Sequence, residues 1–178
     1  MSPTAMPKKV SLDAIKALRD KTSASLNDVR AALESSGGDE GKALELLRQR
    51  GAQIAEKRQG RATGQGRIDA YVHHDGRLGA IVEVDCETDF VARTPEFVQF
   101  CRDVALHVAA IGPKYLKAED VPAGEASTDE ARRALALLTQ PFVKDQGTTI
   151  QDLLKALIAK TGENIVIRRF VKFGVGES

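Results

Sequence analysis

Leu78-Gly79-Ala80-Ile81-Val82-Glu83-Val84-Asp85-Cys86 sets the fold class, because Leu78, Ala80, Val82, Val84 and Cys86 share one parity while Glu83 and Asp85 take the other. The alternation predicts a strand with one face in a core and the other in water. Downstream, Thr94-Pro95-Glu96 reads as a helix start: threonine caps the free amides, proline fits the first helical position and glutamate suits the positive end. Residues 87–93, Glu87-Thr88-Asp89-Phe90-Val91-Ala92-Arg93, are therefore a strand-to-helix connection. A large aromatic in so short a connection more often folds back into the core. The other reading is a protruding anchor, since aromatics at partner surfaces carry a disproportionate share of binding energy. Spacing alone leaves both open.

Upstream, Ile68, Ala70 and Val72 alternate with Arg67, Asp69 and Tyr71, and His74-Asp75-Gly76-Arg77 supplies an Asp-Gly turn, so a β-hairpin is predicted. The helix from Pro95 to about Ala110 carries Phe97, Phe100, Cys101, Val104, Ala105 and Val108 as one stripe, with His107 on its flank, and Gly112-Pro113 ends it. Thr128-Asp129-Glu130 starts a helix with Ala131, Ala134, Leu135 and Leu138 inward, stopped by Pro141. A further helix follows Thr148 or Thr149 on Ile150, Leu153, Leu154, Leu157 and Ile158. Gly162 closes it before a third strand, Ile165 to Phe173. Residues 68–178 thus read as an α+β core with a three-stranded antiparallel sheet packed by helices.

Before the sheet, a flexible leader over 1–10 precedes three short helices over 11–51. Ser11 caps the first (Leu12, Ile15, Leu18), and the capping box Ser25-Leu26-Asn27-Asp28 opens the second, with Leu26, Val29, Ala32 and Leu33 inward. Asp39 caps the third (Ala43, Leu44, Leu47), which is expected to end at Gly51. Residues 52–67 are polar, glycine-rich and locally basic, the composition of a linker.

At 178 residues the chain has room for one or two domains. A formal net charge of +1 argues against general nucleic-acid binding, which calls for a marked basic excess. The apolar runs are all shorter than the roughly 18 residues of a membrane span, and Met1-Ser2-Pro3-Thr4-Ala5 lacks the apolar segment of a signal peptide. A cytoplasmic protein is expected. Cys86 and Cys101 fall on core faces with no CxxC pair, and read as buried free thiols. His73-His74 does not supply a zinc ligand set, so no metal is expected.

Catalytic readings fare poorly. Glu83, Asp85, Glu87 and Asp89 share strand parity, yet paired carboxylates need a pocket that separates their roles, and a solvated strand face is the simpler account. Gly37-Gly38-Asp39-Glu40-Gly41-Lys42-Ala43 has three residues where a phosphate loop has four, and Ala43 where a metal-binding hydroxyl belongs. Gly64-Gln65-Gly66 follows no predicted strand. Neither an enzyme nor a bound nucleotide or other cofactor is expected.

Four ordered blocks carry a resemblance: Glu83-Val84-Asp85-Cys86-Glu87-Thr88-Asp89-Phe90-Val91-Ala92-Arg93, Leu106-His107-Val108-Ala109-Ala110, Gln140-Pro141-Phe142-Val143-Lys144-Asp145, and Gly162-Glu163-Asn164-Ile165-Val166-Ile167-Arg168-Arg169-Phe170. With them the chain resembles the bacterial elongation factor Ts family, guanine-nucleotide exchange factors of elongation factor Tu. The resemblance implies that the three helices form a ubiquitin-associated-like domain. It also implies that Asp89 and Phe90, in a loop shaped by Thr88 and Val91, enter the nucleotide-binding domain of Tu and disturb its magnesium and phosphate site so that GDP leaves. Arg19, Leu26 and Asn27 fall at a second family contact, and His107 at a further one. The stretch between Pro122 and Pro141 lacks the long helical insertion of many relatives; short members pair two copies, so a homodimer carrying two Tu molecules is implied. The rival reading is an RNA or ribosome adaptor using the basic residues from Lys57 to Arg67.

Overall fold

A computed structural model describes residues 10–22 and 24–177. The leader expected over 1–10 lies, Val10 apart, outside the described residues. In chain order the elements are α1 (Leu12–Thr22), α2 (Leu26–Ser35), α3 (Glu40–Arg58), β1 (Gln65–Val72), β2 (Leu78–Cys86), α4 (Asp89–Ala92), α5 (Pro95–Ile111), α6 (Asp129–Leu135), β3 (Pro141–Phe142), β4 (Asp145–Thr149), α7 (Ile150–Thr161) and β5 (Ile165–Gly174).

The α+β class and the antiparallel three-stranded sheet are as expected, with β2 central in the order β1-β2-β5. The inner parity of β2 (Ala80, Val82, Val84, Cys86) is buried against Phe97, Phe100, Cys101, Val104, Ala105 and Val108 of α5, and α7 adds Ile150, Leu157 and Ile158 to the same core. Thr94 caps α5 by accepting from the Phe97 amide at 3.3 Å, and Gly112 closes it at φ +69°, where a residue without Cβ is favoured. A second, smaller core joins Ile15, Leu18, Val29, Ala32, Leu33, Ala43 and Leu47 of the first three helices. Ser25 and Asp39 make the expected caps, accepting from the Asp28 and Lys42 amides at 3.2 and 3.0 Å.

Three expectations change, and one element is new. α3 does not stop at Gly51 but runs on to Arg58, so residues 52–58 are helical and 59–64 alone lead into β1. Gly51 is buried where a methyl group would meet the Lys155 carbonyl of α7 at 3.8 Å, and Ile54 and Ala55 pack on the main core. That packing outweighs the roughly 1 kcal/mol that an interior glycine costs a helix. Leu26 does not point inward: as the first residue of α2 it lies past the covered stripe and is 54% exposed. α6 ends at Leu135 with Ala134 exposed, and Ala136, Leu137 and Leu138 are all buried, three neighbours that no helical stripe could bury together. The short β3–β4 hairpin was not anticipated.

The apolar parity of β1 faces outward. Tyr71 packs on the main core, with the Arg67–Asp69 ion pair (2.8 Å) sharing its parity, while Ile68 and Val72 are exposed. Register then places Ala70 opposite Ile81, Ile81 opposite Val171 and Gly79 opposite Phe173. Ile81, Val171 and Phe173 are exposed too, so the outer sheet face is apolar over all three strands.

Candidate functional site

Past Cys86 the chain makes a helical turn, α4, rather than a plain connection. Thr88 is extended (φ −127°, ψ 154°), and its Oγ1 accepts from the Val91 amide at 3.4 Å. Val91 and Ala92 pack against the main core, which turns Phe90 outward. The ring is 79% exposed, the highest value of any large apolar side chain among the described residues. Of the two readings left open by spacing, the protruding one matches this geometry. The Asp89 carboxylate pairs with the Arg93 guanidinium at 2.8 Å, one helical turn on.

The base of this turn is cross-linked to the loop between α7 and β5. Glu163 accepts from the amides of Glu87 and Thr88, both at 3.1 Å, and from the Thr88 hydroxyl at 2.6 Å. Glu87 reciprocates: its carboxylate accepts from the Asn164 amide at 2.6 Å and pairs with Arg61 at 3.5 Å. The buried Asn164 side chain donates in turn to the Arg61 carbonyl at 2.8 Å. Sequence reasoning gave Thr88 a part in shaping the loop but gave Glu163 and Asn164 no role. The register explains the contact: the pairing of Cys86 with Ile165 brings residues 87–88 and 163–164 together, and no local pattern in the sequence states that pairing.

Each of the four carboxylates of equal parity has its own arginine: Glu83 with Arg169, Asp85 with Arg168, Glu87 with Arg61 and Asp89 with Arg93. Glu83 and Asp85 both border an open hollow beside residues 63–68, but each of the four is neutralised singly by its own arginine, so no two of them are left to share a proton or a cation. Both thiols are buried and free. Burial pushes Cys86 up to about 11 and Cys101 up to about 12, so neither is a ready nucleophile. Among the described residues no cluster of three or more His, Cys, Asp or Glu is placed to hold a metal, and no helix is long and apolar enough to cross a membrane.

Arg19, Leu26 and Asn27 are exposed at the end of α1 and the start of α2. His107 differs from them, with no exposed surface. Its Nδ1 accepts from the Val143 amide at 3.2 Å, which leaves Nε2–H to donate to Gln140 Oε1 at 2.9 Å, and Gln140 donates to the Ala134 carbonyl. Burial lowers the pKa of the ring and keeps it neutral. Of the basic residues from Lys57 to Arg67, Lys57 and Arg58 close α3, Arg61 is committed to Glu87 and Arg67 to Asp69.

The family described as Elongation factor TS matches residues 8–132. The chain is 47% identical to the elongation factor Ts of Rubrobacter xylanophilus, over 91% of this chain and 97% of that protein. It is 42% identical to the one from Carboxydothermus hydrogenoformans (92% and 88%) and 41% identical to the one from Methylacidiphilum infernorum (97% and 98%).

Proposed function

Because the chain belongs to the elongation factor Ts family, we propose that it is the cytoplasmic guanine-nucleotide exchange factor of elongation factor Tu, and that the Asp89–Phe90 turn expels the nucleotide. The observation that carries this reading is the exposed Phe90 ring on a turn held rigidly at its base. A ring that gives up no packing to leave water, and needs little ordering to enter a cleft, turns most of its burial into binding, about 2–3 kcal/mol for a phenylalanine. Asp89 beside it is held only by the exposed pair with Arg93, and on exchanging that partner it brings a negative charge to a site that holds phosphates and a divalent cation, competing with the one and attracting the other. No bond of the nucleotide is made or broken. The action is coupling: if the factor weakens GDP on Tu by some ratio, GDP weakens the factor by the same ratio, and incoming GTP helps to expel it.

The three-helix unit over 11–51 supplies the second contact through Arg19, Leu26 and Asn27, with Leu26 already exposed for it. His107 acts from inside the core over 68–178, by holding Gln140 and Val143 in place. Release of a fluorescent GDP from Tu tests the reading. Wild-type protein is expected to accelerate release strongly, and Phe90→Ala to lose about 100-fold of that acceleration; Asp89→Ala should lose less. No acceleration by wild type would overturn the function, and a silent Phe90→Ala would move the wedge elsewhere.

The outer sheet face supports the second part of the reading, a homodimer. Ile68, Val72, Ile81, Val171 and Phe173 form a continuous apolar surface that water covers at a cost in a monomer. Its occupant is a second copy, sheet against sheet, with the Glu83–Arg169 pair at the rim. Sedimentation equilibrium is expected to give a dimer for the wild type and a monomer for Ile81→Glu. A wild-type monomer at micromolar concentration would remove this part and leave the exchange reading intact.

A further inference from the structure

The carboxylate of Glu163 lies 75 residues away in sequence from the hydroxyl it holds, on a loop that the exchange reading leaves without a task. Its three partners are the amides of Glu87 and Thr88 and the Thr88 hydroxyl, which are the last hydrogen-bond donors of the chain before Asp89. Thr88 is also the cap of α4, so the residue that orients the Asp89–Phe90 turn is itself oriented by Glu163. Glu163 is half-buried, and charge-assisted bonds of this kind are the strong ones. The return bonds from Glu87 to the Asn164 amide and to Arg61 make the clasp two-way.

We propose that Glu163 is the positioning residue of the exchange turn: it fixes Thr88, and through Thr88 the direction in which Phe90 leaves the fold. This rests on the reading that the turn carries the exchange activity. The carboxylate does not touch the partner. It removes in advance the conformational freedom that a loose turn would have to surrender at the moment of insertion. Its loss therefore slows nucleotide release at saturating factor.

The test uses the full chain carrying Glu163→Gln, an isosteric change that keeps one acceptor and removes the charge. In the free protein, hydrogen exchange at the amides of Glu87 and Thr88 should speed up by about tenfold or more, while the interior amides of α5 keep their protection. With Tu and fluorescent GDP, the maximal release rate should fall about tenfold. In a Phe90→Ala background the same substitution should change release by less than about twofold, because a turn without its ring gains nothing from being aimed. Thr149→Ala, which removes the cap of α7 without touching the clasp, controls for lost stability and should leave both readouts unchanged. Unaltered amide protection in Glu163→Gln overturns the proposal. So does a full effect in the Phe90→Ala background, which would make the role merely structural. If Phe90→Ala alone is silent, the reading that this turn carries the exchange activity fails, and amide protection by itself then decides whether Glu163 orders the turn.

Discussion

Phe90 and His107 are both named by family resemblance as contact positions, and the fold treats them in opposite ways. The Phe90 ring is outside the core, and the hydrogen bonds around it belong to the backbone beneath it. The His107 ring is wholly inside, and both of its nitrogens are used by the fold, one by Val143 and one by Gln140. One side chain is free to be given to a partner; the other is already spent on the segment that runs from Gln140 into β3 and β4. Position in a family pattern therefore does not tell whether a residue touches or supports. The local hydrogen bonds do.

Stability measurements separate the two most sharply. His107→Ala leaves the Val143 amide and the Gln140 Oε1 without partners and opens a cavity, so urea unfolding should show a loss of about 3 kcal/mol. Phe90→Ala removes a ring that the fold does not bury and should change stability by less than about 0.5 kcal/mol. A large loss for Phe90→Ala would mean that the ring packs inward in solution, and the contrast would collapse.

A smaller effect comes from pH. The folded state holds His107 neutral with its pKa below the ordinary value near 6.5, whereas the unfolded chain takes up a proton there. Below that pH the unfolded state binds more protons, so stability falls as the pH is lowered from 6.5 toward the folded pKa and is complete above 6.5. The slope is at most about 1.4 kcal/mol per pH unit for one group. His107→Gln should flatten the stability profile between pH 7 and 5.5, and release of GDP by the Asp89–Phe90 turn should not follow it. A slope that persists in His107→Gln would place the titrating group elsewhere.

The central strand, both long helices of the core and the caps at Thr94, Ser25 and Asp39 were legible in the sequence, and the start of α7 was narrowed to Thr148 or Thr149, because period, cap and breaker all act within a few residues of one another. The same local logic could find the connection at 87–93 but not the direction of Phe90, which depends on Val91 and Ala92 meeting a core assembled from distant segments. It missed Glu163 for the same reason, since the bonds to Thr88 span 75 residues. The outward apolar parity of β1 was hidden in another way. Alternation fixes which residues share a face, and says nothing about which face is covered until Tyr71 is seen on the core and Ile68 and Val72 outside it.

Gly51 offers the finest version of the contrast between contact and support. A glycine that ends a helix takes a positive φ, where alanine is strained and destabilises; a glycine inside a helix is improved by alanine, provided that there is room. In α3 Gly51 is interior, and the nearest atom to an added methyl would be the Lys155 carbonyl oxygen at 3.8 Å, an ordinary van der Waals distance. Gly51→Ala should therefore stabilise the protein by about 0.5 kcal/mol. Because α3 gives Ala43 and Leu47 to the smaller core and sends Ile54 and Ala55 against the larger one, the gain should appear in the unfolding of both. A loss of stability would instead return the end of the helix to Gly51 and leave the three-helix unit, with Arg19, Leu26 and Asn27, on a tether rather than on a continuous helix.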